Sequence, residues 1–467
     1  MKKLLDQYRR KQILNILKNT SPKKFESIAE KKLFIAVSRS LKISPAYRDI
    51  TKNKIQGFPI KTLKDFTERI PILTKSEYFE KYSLDQLLGK HKEKMKYAMS
   101  SSGYSGNFGY GFSSEKAFRK SRMGVDATFD YLFDISNRKT FLINCAPMGV
   151  HVETSLPLAE TSVRSDMVIA LLKKISPEYD QTIIGGDPYF LKKLVEEADD
   201  AGIDWEKLQV SLITAQDYLP ESLRTYLYNR LGINPESPGN RGIFATMGMT
   251  ELGLNVFHES KFTVAIRRTL LKDDDLRELL CPSVGRSVPC IFHYYPFRTY
   301  IESIRRESSS ELIFSVVDPE NILPIIRYST GDSGEVISYT RLANLLSDRY
   351  PGLIPDLKLP IGFLFGRTNN RYMHKGAIIR FEDIKEGLFA NQEVASCITG
   401  LIKVDMSADS VSVLVHLKKG IRKNDVLAKK LMIAVQEKIS TELEVETVCY
   451  DEFPAGLELS YEKKLGS

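Results

Sequence analysis

Short apolar runs alternate with amphipathic stretches through the middle of the chain. Runs of three to five apolar or β-branched residues, bounded by polar turns, are typical of buried strands. Such runs occupy Thr140–Asn144, residues 182–184 and Val210–Thr214. Strands separated by helices in this rhythm predict a parallel α/β layer.

Two amphipathic helices lie between or after these runs. One begins at Asp187, a residue type that caps helices, has Pro188 in its first turn and ends near Gly202. The other occupies residues 220–231 and ends at Gly232. Ligands of parallel sheets bind beyond the carboxyl ends of the strands, so the polar turns there are candidate binding positions.

Other segments have less regular patterns. Residues 84–97 are interpreted as one helix, residues 255–310 as loops with some β structure, and residues 311–317 as a strand. Further on, a strand at 411–415 and an amphipathic helix at 424–439 predict a small α+β module.

These patterns predict an α/β protein of two domains. The large N-terminal domain, residues 1–367, is expected to have layered, mostly parallel sheets with helices and a small β region, and to start with a basic helical extension at residues 1–40. The second, residues 368–467, is expected to be a small, mobile α+β domain.

Composition agrees with an ordinary globular protein. The 467 residues are 42% hydrophobic and 27% charged, enough for two or three domains. The net charge is +8, and the basic N-terminal segment is better interpreted as a solvated helix face than as a surface for a membrane or an acidic partner; no nucleic-acid partner is expected. With no signal-peptide core and no integral membrane segment, the expected location is the cytoplasm. Five scattered cysteines fit reduced thiols.

A dense run of glycines and hydroxyl side chains occupies residues 100–111. Backbone N–H groups in such a loop can form an anion nest, and Ser hydroxyls add donors around a phosphate. The candidate phosphate ligands are Ser101, Ser102, Gly103, Ser105 and Gly106. A plain loop is the alternative, and the run does not match Gly-x-x-x-x-Gly-Lys-[Ser/Thr], since Lys does not follow.

Five further segments follow the loop in a fixed order. They are Ala215-Gln216-Asp217, Met247-Gly248-Met249-Thr250-Glu251, Arg327-Tyr328-Ser329-Thr330-Gly331-Asp332, Gly366-Arg367-Thr368-Asn369-Asn370 and Glu462-Lys463-Lys464. The series resembles the adenylate-forming superfamily of acyl-CoA ligases, adenylation domains and luciferases. Its phenylacetate–coenzyme A ligase branch is the most similar, on Ser44-Pro45-Ala46-Tyr47-Arg48 and Ile70-Pro71-Ile72-Leu73-Thr74-Lys75.

The resemblance implies a two-step ligase. ATP adenylates a small-molecule carboxylic acid, aromatic or small, with release of pyrophosphate, and the acyl group then passes to a thiol. The implied cofactors are ATP, Mg²⁺ and either coenzyme A or carrier-protein phosphopantetheine, so an acyl carrier protein is a candidate partner. Two alternatives stay open: transfer to a protein thiol or an amine, and a nucleotide-binding relative without catalysis. The sequence also leaves open the acid, the acceptor thiol and a homodimer.

The same resemblance implies roles for four residues around the phosphates and ribose. Glu251 is the expected metal ligand, because a hard carboxylate suits Mg²⁺, and Thr250 is expected to donate to the α-phosphate. Asp332 is expected to accept the ribose hydroxyls, with Arg367 as a second ribose or phosphate contact. Taken alone, these residues also fit a helix start, a turn and a surface salt bridge.

The remaining implied roles concern the adenine and the reacting carboxylate. The turn Ala215-Gln216-Asp217 is expected to line the adenine, and Met247 stands where an aromatic normally packs on it. Lys464 is the expected catalytic lysine, with Lys463 as a close rival, because a cation there stabilises the charge that develops during transfer.

Besides Met247, two positions depart from the pattern. Asn107 replaces the lysine after the glycine-rich loop, so the positive charge for the leaving pyrophosphate must come from elsewhere. Asn369 replaces the hinge aspartate, and Gly376 matches the glycine that faces the thiol tunnel. Cys281, Cys290, His258 and His293 are interpreted as buried thiols and ordinary histidines rather than a zinc site.

Overall fold

The computed structural model describes most of the chain. The described residues are 2–52, 60–101, 108–147, 149–236, 239–282, 287–306, 310–368, 371–374, 377–406, 411–439, 442–452 and 459–461. The chain forms two compact units. The first contains Met1–Tyr131, Thr246–Leu270 and Pro289–Thr368, and the second contains Leu132–Ala245, Leu271–Val288 and Asn369–Ser467.

Helices and strands alternate along most of the described chain. The α-helices are α1 (Lys2–Asn19), α2 (Pro22–Ile43), α3 (Pro45–Thr51), α4 (Leu63–Arg69), α5 (Leu84–Leu88), α6 (Glu115–Phe133), α7 (Ser165–Lys174), α8 (Pro188–Asp200), α9 (Glu221–Leu231), α10 (Lys261–Leu270), α11 (Asp274–Leu280), α12 (Tyr339–Leu346), α13 (Phe381–Leu388), α14 (Gln392–Ala395) and α15 (Asp425–Gln436). The strands are β1 (Tyr97–Ser100), β2 (Tyr110–Ser113), β3 (Thr140–Asn144), β4 (Leu158–Glu160), β5 (Gln181–Gly186), β6 (Val210–Thr214), β7 (Ile243–Met249), β8 (Gly253–His258), β9 (Cys290–Tyr294), β10 (Thr299–Arg305), β11 (Ser310–Val316), β12 (Tyr328–Ile337), β13 (Ile361–Arg367), β14 (Arg371–His374), β15 (Ala377–Arg380), β16 (Ile398–Met406), β17 (Val411–Leu417) and β18 (Glu444–Val448).

The second unit contains the predicted parallel layer. Strand β3 pairs in parallel with β4 and β5, β5 pairs with β6, and β6 pairs with the start of β7. All five residues of β3 are buried, as expected for a strand covered on both faces. Asp187 caps α8, accepting from the backbone N–H of Tyr189 at 2.9 Å and of Phe190 at 3.0 Å. The predicted α/β class is confirmed, including the helix end at Gly232, which has φ +61°.

The later part of the second unit is the predicted α+β module. Strand β17 pairs with β16 in antiparallel and with β18 in parallel. Helix α15 turns Leu431 and Val435 into the core. The domain boundary at residues 367 and 368 stays a prediction.

The first unit contains an antiparallel sheet with the strand order β10-β11-β12-β13-β9-β8-β7. A short segment before α5 joins this sheet: Leu73 N–H donates to the Arg327 carbonyl at 2.9 Å, and Ser329 N–H donates to the Leu73 carbonyl at 2.8 Å. The basic extension forms two helices, α1 and α2, because Pro22 starts a new helix after Ser21. The bridge between Leu73 and Tyr328 fixes the residues just after Leu73 beside β12.

One prediction of local structure was wrong, and another was incomplete: residues 255–310 contain the expected β structure, in β8, β9 and β10, but also two helices. Residues 84–97 do not form one helix: α5 ends at Leu88, a 3₁₀ turn follows and β1 begins at Tyr97. The cause is Gly89, whose φ is +51° and whose absent Cβ leaves room for the Ile43 carbonyl oxygen, 2.2 Å from where that Cβ would be. Residues 255–310 contain helices α10 and α11; Asp273 caps α11, accepting from Leu276 N–H at 2.9 Å. The helix was missed because the charged residues around this cap are typical of a loop.

Candidate active site

Glu251 is almost buried at the centre of a polar cluster in the first unit. Its side chain is 7% exposed, and its Oε1 lies 3.9 Å from the Lys75 Nζ. The Tyr328 hydroxyl donates to the same oxygen at 3.4 Å. Lys75 comes two residues after the Leu73 bridge to β12, so the pairing of that segment brings Lys75 and Tyr328 together beside Glu251.

The base of the glycine-rich loop touches this cluster. Lys75 Nζ donates to Ser101 Oγ at 3.5 Å. Ser101 Oγ in turn accepts from Gly109 N–H at 2.8 Å, and Ser101 N–H donates to the Gly109 carbonyl at 2.8 Å. These bonds clasp the two ends of the loop. Ser102, Gly103, Ser105, Gly106 and Asn107 lie outside the described residues.

Two glycines let the loop base approach the Thr250-Glu251 turn. A Cβ on Gly109 would lie 1.6 Å from Glu251 Oε1, and a Cβ on Gly111 would lie 1.9 Å from the Thr250 carbonyl oxygen. Real Cβ atoms do not approach so closely, so position 111, where the Cβ would meet backbone, requires glycine, whereas a side chain at position 109 would displace the Glu251 carboxylate. The structure therefore brings together the predicted residues Ser101, Thr250 and Glu251.

Lys75 is the residue that sequence reasoning missed. Its segment contributed to the family resemblance, but no role was assigned to the ammonium group. The missing lysine at Asn107 was the available signal, because it indicated that a cation had to come from another segment. Lys75 supplies one.

Asp332 and Arg367 meet across neighbouring strands. They are paired residues of β12 and β13, and Arg367 Nε lies 3.8 Å from Asp332 Oδ1. Thr330 Oγ1 donates to Asp332 Oδ2 at 2.6 Å. Asp332 is buried, whereas the Arg367 side chain is 51% exposed, so the arginine is free to reach a ligand in solvent. Gly331, directly before Asp332, has φ +78°, and its carbonyl accepts from Thr368 Oγ1 at 3.1 Å.

Met247 lies on β7 of the first unit, three residues before Thr250. It is half-buried and pairs with Phe257 of β8. Its thioether is therefore on the strand that leads into the Thr250-Glu251 turn.

The turn Ala215-Gln216-Asp217 belongs to the second unit and follows β6. Gln216 has φ +79°, a conformation that non-glycine residues adopt only when their surroundings hold them there. Its amide Nε2 and Oε1 are both buried and have no hydrogen-bond partner within the described part of the chain. A buried amide without partners is costly, so this group suits a ligand that offers both a donor and an acceptor.

Asp217 is held on both sides. Its Oδ1 accepts from Tyr218 N–H at 2.7 Å, and its Oδ2 lies 3.2 Å from Lys385 Nζ. Burial raises the pKa of the neighbouring Asp187, and the charge of Asp217 adds to this effect. One oxygen of Asp187, Oδ2, has no partner among the described residues.

Several predicted positions lie outside the described residues. Besides the loop tip, they are Asn369, Gly376, Lys463 and Lys464. Their roles stay predictions.

The cysteines and histidines considered for zinc do not assemble into a metal site in the described ranges. Cys281 and Cys290 are both buried. Burial lowers the pKa of both His258 and His293 to about 3. No group of three or more potential metal ligands occurs among the described residues.

Among the described residues, the helices are too short or too polar to cross a membrane.

Solved structures of CoA ligases share this fold. The 2-hydroxyisobutyryl-CoA ligase in the postadenylation state, in complex with R3-HIB-AMP, matches with a TM-score of 0.67 and 13% identity, over 94% of this chain and 88% of that chain. The same ligase with 2-HIB-AMP and CoA in the thioesterification state matches with a TM-score of 0.52 and 13% identity, over 95% of this chain and 89% of that one. The anthranilate CoA ligase AuaEII in complex with anthranoyl-AMP matches with a TM-score of 0.52 and 12% identity, over 80% and 66%.

No protein-family model matches the sequence, and a search of curated proteins found no match either. At 12–13% identity the structural likeness establishes the fold. The chain has the fold of the adenylate-forming CoA ligases, as the ordered motifs implied.

Proposed function

We propose that the protein is an AMP-forming acid–thiol ligase. In the first step an oxygen of the acid attacks the α-phosphorus of ATP, and the bond to pyrophosphate breaks to leave acyl-AMP. In the second step a thiol attacks the acyl carbon, AMP leaves and the thiol proton is released. The fold and the cluster around Glu251 support this reaction together.

The observation that carries the proposal is the contact of Lys75, Ser101 and Glu251 at the base of the glycine-rich loop. Glu251 offers a nearly buried carboxylate, a hard oxygen ligand that fits Mg²⁺. When bound there, Mg²⁺ would neutralise charge on the phosphate oxygens of ATP. Lys75 would hold the leaving pyrophosphate and so supply the positive charge that Asn107 cannot. Thr250 would donate to the α-phosphate.

The contacts to the nucleoside end of ATP are proposed residue by residue. The Asp332 carboxylate would accept the ribose hydroxyls, and Arg367 would reach the ribose or a phosphate. The unpartnered Gln216 amide fits the adenine edge, because a side-chain amide can pair with its N6 donor and N7 acceptor at once. Met247 would cover one face of the ring.

The phenylacetate-like segments at Ser44 and Ile70 favour an aromatic acid. Structural neighbours carry a small hydroxyacyl-AMP in one case and an aromatic acyl-AMP in another. Both classes are therefore the first substrates to test.

The acceptor and the C-terminal lysine follow from the motif positions. We assign the acceptor to coenzyme A, with carrier-protein phosphopantetheine as the alternative thiol. Lys464 would contact the reacting carboxylate, Gly376 would face the thiol, and the module would pivot near Asn369. Lys464→Ala should slow acyl-AMP formation but spare thiolysis of supplied acyl-AMP, with Lys463→Ala as the matched control. If Lys463→Ala alone has this effect, the role passes to Lys463.

Five cysteines scattered along the chain suit a reducing compartment such as the cytoplasm.

The test is pyrophosphate release screened over aromatic, short aliphatic and amino acids with ATP and Mg²⁺. The proposal expects release that depends on one acid class and a thioester when coenzyme A is added. If the acyl-AMP reacts only with an amine or a protein thiol, that transfer would replace the proposed second step. ATP binding without release for every acid would instead favour a non-catalytic relative, which the departures at Asn107, Met247 and Asn369 motivate.

A further inference from the structure

Two consecutive residues of α13 hold the turn that the proposed function assigns to adenine. Lys385 Nζ lies 3.2 Å from Asp217 Oδ2, although the two residues are 168 positions apart. The Lys385 side chain is 1% exposed. Its ammonium also sits over the rings of Tyr189 at 4.3 Å and Phe381 at 5.0 Å, so its position is fixed on three sides.

The next residue, Glu386, supplies the missing cap of α9. Pro220 is the N-cap of α9 and gives no side-chain hydrogen bond. The Glu386 carboxylate instead accepts from the N–H groups of Glu221 and Ser222, each at 2.8 Å, and Ser222 Oγ donates to the Glu386 carbonyl at 2.8 Å. A carboxylate at a helix N-terminus is stabilising both as a cap and through the helix dipole.

The residue just before these contacts has a strained backbone. Gln216, with φ +79°, precedes Asp217 directly, and such a conformation persists only when neighbouring groups determine it. Without Lys385, the Asp217 carboxylate would face the buried Asp187 carboxyl with no nearby cation from α13. The turn would then lose its ion pair with α13.

We infer that Lys385 is a positioning residue: by holding Asp217, it keeps Gln216 in the geometry that binds the adenine and so couples nucleotide affinity to the docking of α13. This inference rests on the proposed function, since it concerns the same turn. The coupling is reciprocal, so nucleotide binding stabilises the docked α13.

The experiment compares four full-length proteins: wild type, Lys385→Met, Lys385→Arg and Lys418→Met. Lys418→Met is the matched control, because Lys418 pairs with Glu196 at 2.9 Å elsewhere in the same unit and does not touch the turn. ATP affinity is measured by calorimetry, kcat and KM by pyrophosphate release, and hydrogen exchange is followed over residues 215–222 without ligand.

Lys385→Met is expected to weaken ATP binding by about tenfold, within the usual range of coupling between sites, and to raise the KM for ATP more than it lowers kcat. Exchange over 215–222 should accelerate in this variant. Lys385→Arg should restore most of the affinity, and Lys418→Met should leave it unchanged. Equal ATP affinity in Lys385→Met and wild type would overturn the inference while leaving the function intact.

Failure of the function gives a different result. If wild type binds no ATP, the proposed function is wrong. Hydrogen exchange alone then tests whether Lys385 holds the turn. Faster exchange over 215–222 in Lys385→Met would still support Lys385 as the residue that holds the turn. Unchanged exchange would overturn that as well.

Discussion

The Lys75 ammonium lies 3.9 Å from the Glu251 carboxylate, and both side chains meet at the base of the glycine-rich loop. The pair consists of one cation and one candidate metal ligand at a single site. In the proposed reaction, a phosphate chain beside this pair would meet positive charge from Lys75 and from the Mg²⁺ proposed to bind Glu251, as a leaving pyrophosphate requires.

Lys75→Met should lower the rate of pyrophosphate release about 100-fold, because removing one charge-stabilising donor typically has an effect of this size. Lys75→Arg should keep much of the rate. Lys64→Met is the control, since Lys64 is an exposed lysine on the preceding helix α4. Initial rates at saturating ATP check the prediction, and a wild-type rate in Lys75→Met would remove Lys75 from the site.

Asp332→Ala should weaken ATP binding by about 1.5–3 kcal/mol, the usual value of hydrogen bonds to a charged group. Calorimetry with ATP measures the loss. Asp348→Ala, which removes an exposed aspartate of the same unit, should bind ATP normally. Equal affinity in both variants would assign Asp332 to a structural turn.

Gly111→Ala should damage both stability and activity. The added Cβ would lie 1.9 Å from the Thr250 carbonyl oxygen, so the Thr250-Glu251 turn has to shift. Overpacking of this kind costs about 1–3 kcal/mol, which would lower Tm by several degrees. Gly352→Ala is the control, because no atom lies within 4 Å of its added Cβ. Matching melting curves for both variants would contradict the close approach.

The stability of the second unit should fall as pH rises toward alkaline values. Burial raises the pKa of Asp187 from 3.8 to about 7, and the charge of Asp217 adds to the shift. The folded pKa lies above the unfolded one, so this stabilising contribution is complete below the unfolded pKa and is lost as pH rises through the folded value.

Asp187→Asn should remove this dependence, since Asn stays neutral and can still cap α8. Its Tm should exceed that of wild type at about pH 9, and the difference should vanish at about pH 4. Thermal denaturation across this range measures it. A constant difference at all pH values would exclude Asp187 as the titrating group.

Local sequence signals predicted the second unit well. Asp187 and Gly232 mark the start of α8 and the end of α9 through capping and a left-handed φ, which depend on the residues themselves. The helix at 84–97 was wrong because Gly89 is required by a contact with the distant Ile43 carbonyl. Contacts of that kind leave no local pattern.

The candidate site divides along the same line. Thr250, Glu251, Asp332 and Arg367 stand in recognisable motifs, and the structure pairs Asp332 with Arg367. Lys75 and Lys385 were missed because their importance comes from partners far along the chain, brought close by the bridge at Leu73 and by the packing of α13.

The most direct test of the account is the exchange of labelled pyrophosphate into ATP, measured with an acid that supports release, for wild type and Glu251→Gln. The account predicts acid-dependent exchange in wild type and its near-complete loss in Glu251→Gln, with unchanged circular dichroism and Tm, because Gln has the same shape but lacks the charge proposed to bind Mg²⁺. Exchange at the wild-type rate in Glu251→Gln would contradict the central claim that Glu251 organises the adenylating site.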